Sequence, residues 1–251
     1  MRLKLTIAYD GAPYKGWQFQ PKVTTVQETV EIAISEIAKV PIKIYASGRT
    51  DTGVHAYGQV AHFDAPEKSK MLPENWLVAV NTRLPAAVRI MNCEEVPNGF
   101  HARFSAVSKT YEYRIETGDV VRPHDAGRVW HVPRGLDVEI LTECLQAYIG
   151  EHDFRHFSAL RGNESEETSF RRVITEASVQ LEGSQLIISY SANGFLYKMV
   201  RILTGVAVSV ARGRLGREEF SSMLTSINTE FNTAKLCAPA GGLSLLKVIY
   251  P

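Results

Sequence analysis

The chain contains no run of about 18 apolar residues, the length a membrane-crossing helix requires. It has only three cysteines, Cys93, Cys144 and Cys237, far apart in sequence. Their odd number and wide spacing argue against a disulfide framework or a zinc site and fit reduced thiols in a cytoplasmic protein. No low-complexity tract is present. The N-terminal segment MRLKLTIAYD alternates charged and apolar side chains where a signal peptide would be continuously apolar, so a first strand is expected there. Charge of one sign is also lacking, since the formal net charge is +1. That total excludes a strongly basic protein, but phosphate contacts need only local positive potential. Lys198, Arg201, Arg212, Arg214 and Arg217 follow one another with no acid until Glu218. Arg161, Arg171 and Arg172 form a second basic stretch. One metal-like arrangement fails on spacing: His152, Asp153 and His156 have no further ligand in register, and no His-Glu-x-x-His pattern accompanies them.

What is present is an ordinary globular composition, 45% apolar and 22% charged over 251 residues, enough for one large domain or two modest ones. Leu3, Leu5, Ile7 and Tyr9 alternate as in a half-buried strand. Thr25 stands three residues before Glu28, a capping-box spacing, and Val26, Val30, Ala33, Ile34 and Ile37 recur behind it at helical period. Strands are expected at 42–45, 57–63 and 88–96 and a helix at 72–80. The order β-α-β-β-α-β is that of the split βαβ motif. The second half repeats it: a strand at 109–115, a helix at 138–149, a hairpin from 172–181 and 186–192 around Glu182-Gly183-Ser184, a long helix at 195–212 and a last strand at 243–249. The stretch 151–171 is weakly periodic and reads as a loop. The expected fold is therefore α+β, two ferredoxin-like split-βαβ halves, 1–104 and 105–251, with antiparallel-containing sheets flanking a central active-site cleft.

The segment with chemical content is Gly48-Arg49-Thr50-Asp51-Thr52-Gly53-Val54-His55-Ala56. It joins two expected strands and carries a carboxylate, a guanidinium and an imidazole between glycines that permit close approach of another chain. Asp-Thr-Gly by itself is common turn chemistry. It also matches the catalytic loop of an aspartic protease, but those enzymes need two copies so that two carboxylates share a proton, and this chain has one. His55 reads as a loop-packing residue, and Trp17, Trp76 and Trp130 read as core or cleft-wall residues.

The whole nine-residue segment resembles the signature loop of the pseudouridine synthase family, in its synthase A branch. The resemblance runs on in register through Tyr9-Asp10-Gly11, Gly16-Trp17-Gln18 with Gln20, Thr25-Val26-Gln27, Phe100-His101-Ala102-Arg103-Phe104-Ser105-Ala106, Lys109-Thr110-Tyr111-Glu112-Tyr113, His152-Asp153-Phe154, the stretch 193–201, Ala238-Pro239, Gly242-Leu243 and Tyr250. It implies an enzyme that isomerises uridine to pseudouridine in RNA, at uridines 38, 39 and 40 of the tRNA anticodon arm. It implies Asp51 as the catalytic aspartate, Tyr111 as the tyrosine stacked on the target base, Arg49 as an arginine that binds RNA and displaces the base, and Arg201 as the cation paired with the catalytic carboxylate. It further implies no metal, no organic cofactor, a homodimer and a basic cleft. Two chemical routes stay open for Asp51: covalent attack, or removal of a ribose proton to give a glycal. A reading from another class is a non-catalytic RNA-binding module on paired split-βαβ halves. Such modules display an RNP-type signature that is missing here, and a carboxylate on the binding loop would repel phosphate.

Overall fold

The computed structural model describes residues 1–159, 169–226 and 231–251. Arg161 and the Gly162-Asn163-Glu164 segment lie outside the described residues. The fold is mixed α+β, with mostly antiparallel strand pairing and five α-helices among the described residues. No helix there is long and apolar enough to cross a membrane. The chain divides into two compact units, Met1–Lys109 with Ser244–Pro251, and Thr110–Leu243.

In the first unit the elements are β1 (Arg2–Tyr9), α1 (Val26–Ala38), β2 (Tyr45–Ala46), β3 (His55–Asp64), α2 (Pro73–Asn81), β4 (Val88–Val96) and the last strand of the chain, β10 (Leu243–Ile249). The strands lie in the order β4-β1-β3-β10, with β2 on β3. β1 runs antiparallel to both neighbours, Leu5 facing Ala61 on one side and Cys93 on the other. Its Leu3, Leu5, Ile7 and Tyr9 are buried, as period-two alternation requires. α1 begins at Thr25, whose hydroxyl accepts the Glu28 N–H, and buries Val26, Val30, Ala33 and Ile34. α2 sets Trp76 edge-on against Phe63 of β3.

β10 runs parallel to β3, Ser244 opposite His55. The contact is close at Gly58, where an added Cβ would sit 2.5 Å from the Leu246 carbonyl oxygen. The expected strand at 42–45 contracts to Tyr45–Ala46 because side chains of α1 take its backbone groups. Ser35 Oγ accepts the Ile42 N–H at 2.9 Å, and Glu31 Oε1 accepts the Ile44 N–H at 3.1 Å.

The second unit contains β5 (Ser108–Glu116, entering from the first unit), β6 (Trp130–His131), α3 (Val138–Ala147), β7 (Gly150–Asp153), β8 (Arg171–Glu182), β9 (Gln185–Ala192), α4 (Met199–Ala211) and α5 (Arg217–Thr225). The strand order is β5-β9-β8-β7, with β6 parallel on β5. The hairpin β8–β9 turns at Gly183, which has φ 62. α4 is buried on nearly its whole circumference and packs against α3 and the 3-10 turn Thr233–Leu236.

Two expectations need correcting here. The stretch 151–171 is not all loop: β7 and a 3-10 turn at Arg155–Phe157 occupy its start, pinned by Asp153 accepting from the backbone and guanidinium of Arg155. The helix expected from 195 begins at Met199, since Lys198 adopts a left-handed backbone (φ 59) that no right-handed helix can include.

Candidate active site

The nine-residue loop leaves β2 at Ala46 and enters β3 at His55, and three layers of contact hold it. The first is polar. Ser47 donates through Oγ to Gln59 Oε1 at 2.8 Å, and Gln59 Nε2 donates to the Gly48 carbonyl at 3.0 Å. The second is a buried pair: the Tyr9 hydroxyl and Thr50 Oγ1 lie 2.8 Å apart, and burial pushes the Tyr9 phenol up to about 12. The third is backbone. Trp17 N–H donates to the Thr50 carbonyl at 3.0 Å, and Val54 N–H closes a turn onto the Asp51 carbonyl at 3.1 Å. Asp51 itself is half-buried at the apex, and Arg49 is exposed beside it.

Two glycines make this closeness possible. A Cβ on Gly11 would lie 2.0 Å from the Val54 carbonyl oxygen. A Cβ on Gly16, whose φ is 87, would meet the Thr50 carbonyl at 2.9 Å and the Asp51 carbonyl carbon at 3.3 Å. The same collar carries the start of α1: Val26 N–H and Gln27 N–H donate to the carbonyls of Gly16 and Trp17. The opening sequence blocks are thus the scaffold of the Asp51 loop, which no periodicity argument reveals.

His55 packs under the loop, as expected. It is buried, its Nδ1 stands 3.1 Å from both Gly11 N and Asp10 Oδ1, and its Nε2 has no hydrogen-bond partner among the described residues. Trp17 and Trp76 are 1% exposed core residues, and Trp130 is half-buried.

One residue that sequence reasoning missed is Lys109. Its Nζ donates to the Ser47 carbonyl, and it stands where a Cβ on Gly48 would be 3.0 Å from the ammonium nitrogen. Burial, and then the charge of Arg103, lower its pKa to about 8. In the sequence, only its position beside Thr110-Tyr111 sets it apart.

The second unit holds the other two candidates. Tyr111 lies on β5, buried, with its ring edge-on to Phe195 at 5.1 Å. The next inward tyrosine, Tyr113, donates its hydroxyl to the Pro239 carbonyl at 2.7 Å and leaves room only for Gly242 against its ring. Arg201 is half-buried in the first turn of α4. Its Nε donates to the Ala238 carbonyl at 2.8 Å, and the Ala238 N–H returns to the Arg201 carbonyl at 3.0 Å. This exchange fixes the direction of the guanidinium and joins Ala238-Pro239 to α4.

The basic stretches are less uniform than their sequence suggests. Arg217 pairs with Glu143 at 2.6 Å and Arg171 with Glu151 at 2.9 Å, whereas Arg214 is exposed. His152 and His156 face the carbonyls of Ile149 and Ser226, and among the described residues no group of three His, Cys, Asp or Glu stands together to hold a metal.

A half-buried carboxylate on a glycine-collared loop held by side-chain and backbone hydrogen bonds is more than an ordinary connecting turn, and a side chain so held can act as an acid, a base or a nucleophile. The comparison with known proteins names the family. The model of the tRNA pseudouridine synthase family matches residues 5–105 and 144–251, and the chain belongs to that family. The tRNA pseudouridine synthase A of Akkermansia muciniphila is 46% identical, over 100% of this chain and 95% of that one. Those of Methylacidiphilum infernorum, at 41% over 99% and 95%, and of Clostridium perfringens (synthase A 2), at 40% over 99% of each, are similar along their whole lengths too.

Proposed function

We propose that this chain is an isomerase that converts uridine to pseudouridine in tRNA, in the anticodon arm at positions 38, 39 and 40, with Asp51 as its catalytic group. The observation that carries the reading is the whole-length likeness to relatives named tRNA pseudouridine synthase A, 46% identical in one case. The chemistry agrees with the residues. Uracil must be detached from ribose, turned and rejoined through C5. The isomerisation is redox-neutral and transfers no group to a carrier, so side chains suffice and no cofactor or metal has a part in it.

Asp51 serves either as nucleophile or as the base that takes a ribose proton. An ionised carboxylate covered by bound RNA is costly without a cation beside it, and Arg201 is proposed as that cation. The target uridine must leave the stack, at about a few kcal/mol. Arg49, exposed on the loop, is proposed to hold the displaced strand. Tyr111 is proposed to stack on the base, a contact that returns roughly 1–3 kcal/mol. The strand order β4-β1-β3 with β2 on β3 supports a split-βαβ origin for the first unit. A cytoplasmic homodimer completes the reading.

The test uses tRNA carrying tritium at uracil C5, because forming the C5 glycosidic bond expels that hydrogen to water. Release by the unaltered protein that disappears in Asp51→Asn is expected. Undiminished release in that variant would remove Asp51 from the chemistry, and no release from any anticodon-arm substrate would remove the isomerase reading.

A further inference from the structure

Phe104 is 76% exposed, yet the turn that presents it is tightly held. His101 Nδ1 accepts the N–H groups of Arg103 and Phe104, at 3.1 and 3.4 Å. Ser105 N–H closes onto the His101 carbonyl at 2.9 Å, and Ser105 Oγ accepts the His101 N–H at 3.0 Å. Ala102 donates to His62 Nδ1 of β3, and its carbonyl accepts the Tyr250 hydroxyl at 2.7 Å. A flexible surface would fold so apolar a ring inward; this backbone cannot.

The ring also ends a ladder. Tyr45 stacks on His62 (5.3 Å), His62 meets His101 edge-on (4.7 Å), and His101 lies tilted against Phe104 (4.4 Å). Arg103 stands over Phe104 at 5.6 Å and forms no carboxylate pair among the described residues. Its charge also reaches Lys109, which is bonded to the Ser47 carbonyl at the foot of the Asp51 loop.

We propose that Phe104 is a stacking platform for an unpaired base of the RNA substrate, with Arg103 holding the phosphate next to that base. A rigid exposed aromatic face with a guanidinium over it fits a nucleotide: the ring stacks on any base, and the guanidinium takes the phosphate. A second copy of this chain would use the ring but would not need the neighbouring guanidinium of Arg103 left without a carboxylate. The platform and the Asp51 loop lie in the same compact unit. The proposal rests on the RNA-isomerase reading.

The experiment measures equilibrium tRNA binding, C5 tritium release at saturating tRNA, and sedimentation velocity for Phe104→Ala, Phe104→Trp and Arg103→Gln. Phe104→Ala is expected to weaken tRNA binding about ten-fold or more, the scale of one lost base stack, with saturated turnover within a few-fold. Phe104→Trp is expected to bind like the unaltered protein, and Arg103→Gln to bind more weakly with a shallower salt dependence. Unchanged binding by Phe104→Ala would overturn the platform even if turnover is intact. A change in sedimentation that accounts for the loss would reassign the patch to a protein interface. Loss of binding in Phe104→Ala while the unaltered protein releases no tritium would leave the platform standing and remove only the isomerase reading.

Discussion

At the scale of single residues, the site is built by what is left out. Gly16 has φ 87 and lies against the Thr50 and Asp51 backbone, so any side chain there meets both a left-handed backbone penalty and a carbonyl in the way. The backbone term alone costs about 1–2 kcal/mol. A side chain at Gly16 therefore displaces the Thr50 and Asp51 backbone, and a shift of about 1 Å in a reacting group can cost 10²-fold in rate. Gly16→Ala is therefore expected to lower turnover far more than stability. Tritium release and urea unfolding on the same preparation check this; a variant with normal turnover would mean the loop tolerates displacement.

His62 offers a different test. Burial first, then the charges of His101 and Arg2, lower its pKa to about 4, against a weaker opposing pull from Asp64. Its unfolded value lies near 6.5, so between those two values the unfolded chain binds the extra proton and the folded chain does not. Stability should fall as pH drops from about 6.5 toward 4. His62→Gln is expected to flatten that segment of the urea-midpoint profile relative to the unaltered protein; parallel profiles would show that His62 titrates normally.

At the scale of elements, periodicity was a good guide where one face of an element meets a core. β1, α1, β9 and β10 lie where alternation or helical spacing puts them, because their buried faces decide their form. It failed where tertiary partners override local pattern. Ile42 and Ile44 look like strand residues, but Ser35 and Glu31 of α1 satisfy their backbone N–H groups. α5 leaves little periodic signal in the sequence because its nine residues bury only Phe220 and Met223. Tyr9 and Gln59, hydrogen-bonded beneath the Asp51 loop, are illegible in the sequence as its supports, since only the folded chain sets Tyr9 against Thr50 and Gln59 against Gly48. Asp51, Arg49, Tyr111 and Arg201 are candidates through family resemblance only; pattern alone reads Tyr111 as core and Asp51 as a turn former.

Packing of α4 yields the prediction at this scale. A Cβ on Gly205 would lie 1.5 Å from the Leu236 carbonyl oxygen, so the helix and the Thr233–Leu236 turn touch backbone to backbone. Alanine is the better helix former by about 1 kcal/mol, which argues for stabilisation. Overpacking argues the other way by about 1–3 kcal/mol. The contact is with backbone and cannot rotate away, so Gly205→Ala is expected to lower the thermal midpoint by several degrees. A raised midpoint would mean that the turn shifts freely and does not brace the helix.

At the scale of the whole molecule, a net charge of +1 is, as a total, ill suited to a polyanionic substrate. The conflict dissolves once charges are sorted by their partners. Arg2, Arg171 and Arg217 are neutralised by Asp64, Glu151 and Glu143. Arg49, Arg103 and Arg214 are exposed cations with no carboxylate within ion-pair distance among the described residues. RNA binding driven by such local charge releases counterions, and log affinity should fall linearly with log salt by about 0.7–0.9 for each phosphate contacted. A slope of several is expected for tRNA. Arg214→Gln should reduce it by about one, because an unpaired cation contributes a full contact. Arg217→Gln should change it less, because its partner Glu143 already screens it and the variant frees that carboxylate. Equal reductions in both variants would show that pairing in the free protein does not predict which cations meet the phosphates, and a flat salt response would show that charge does not hold the RNA at all.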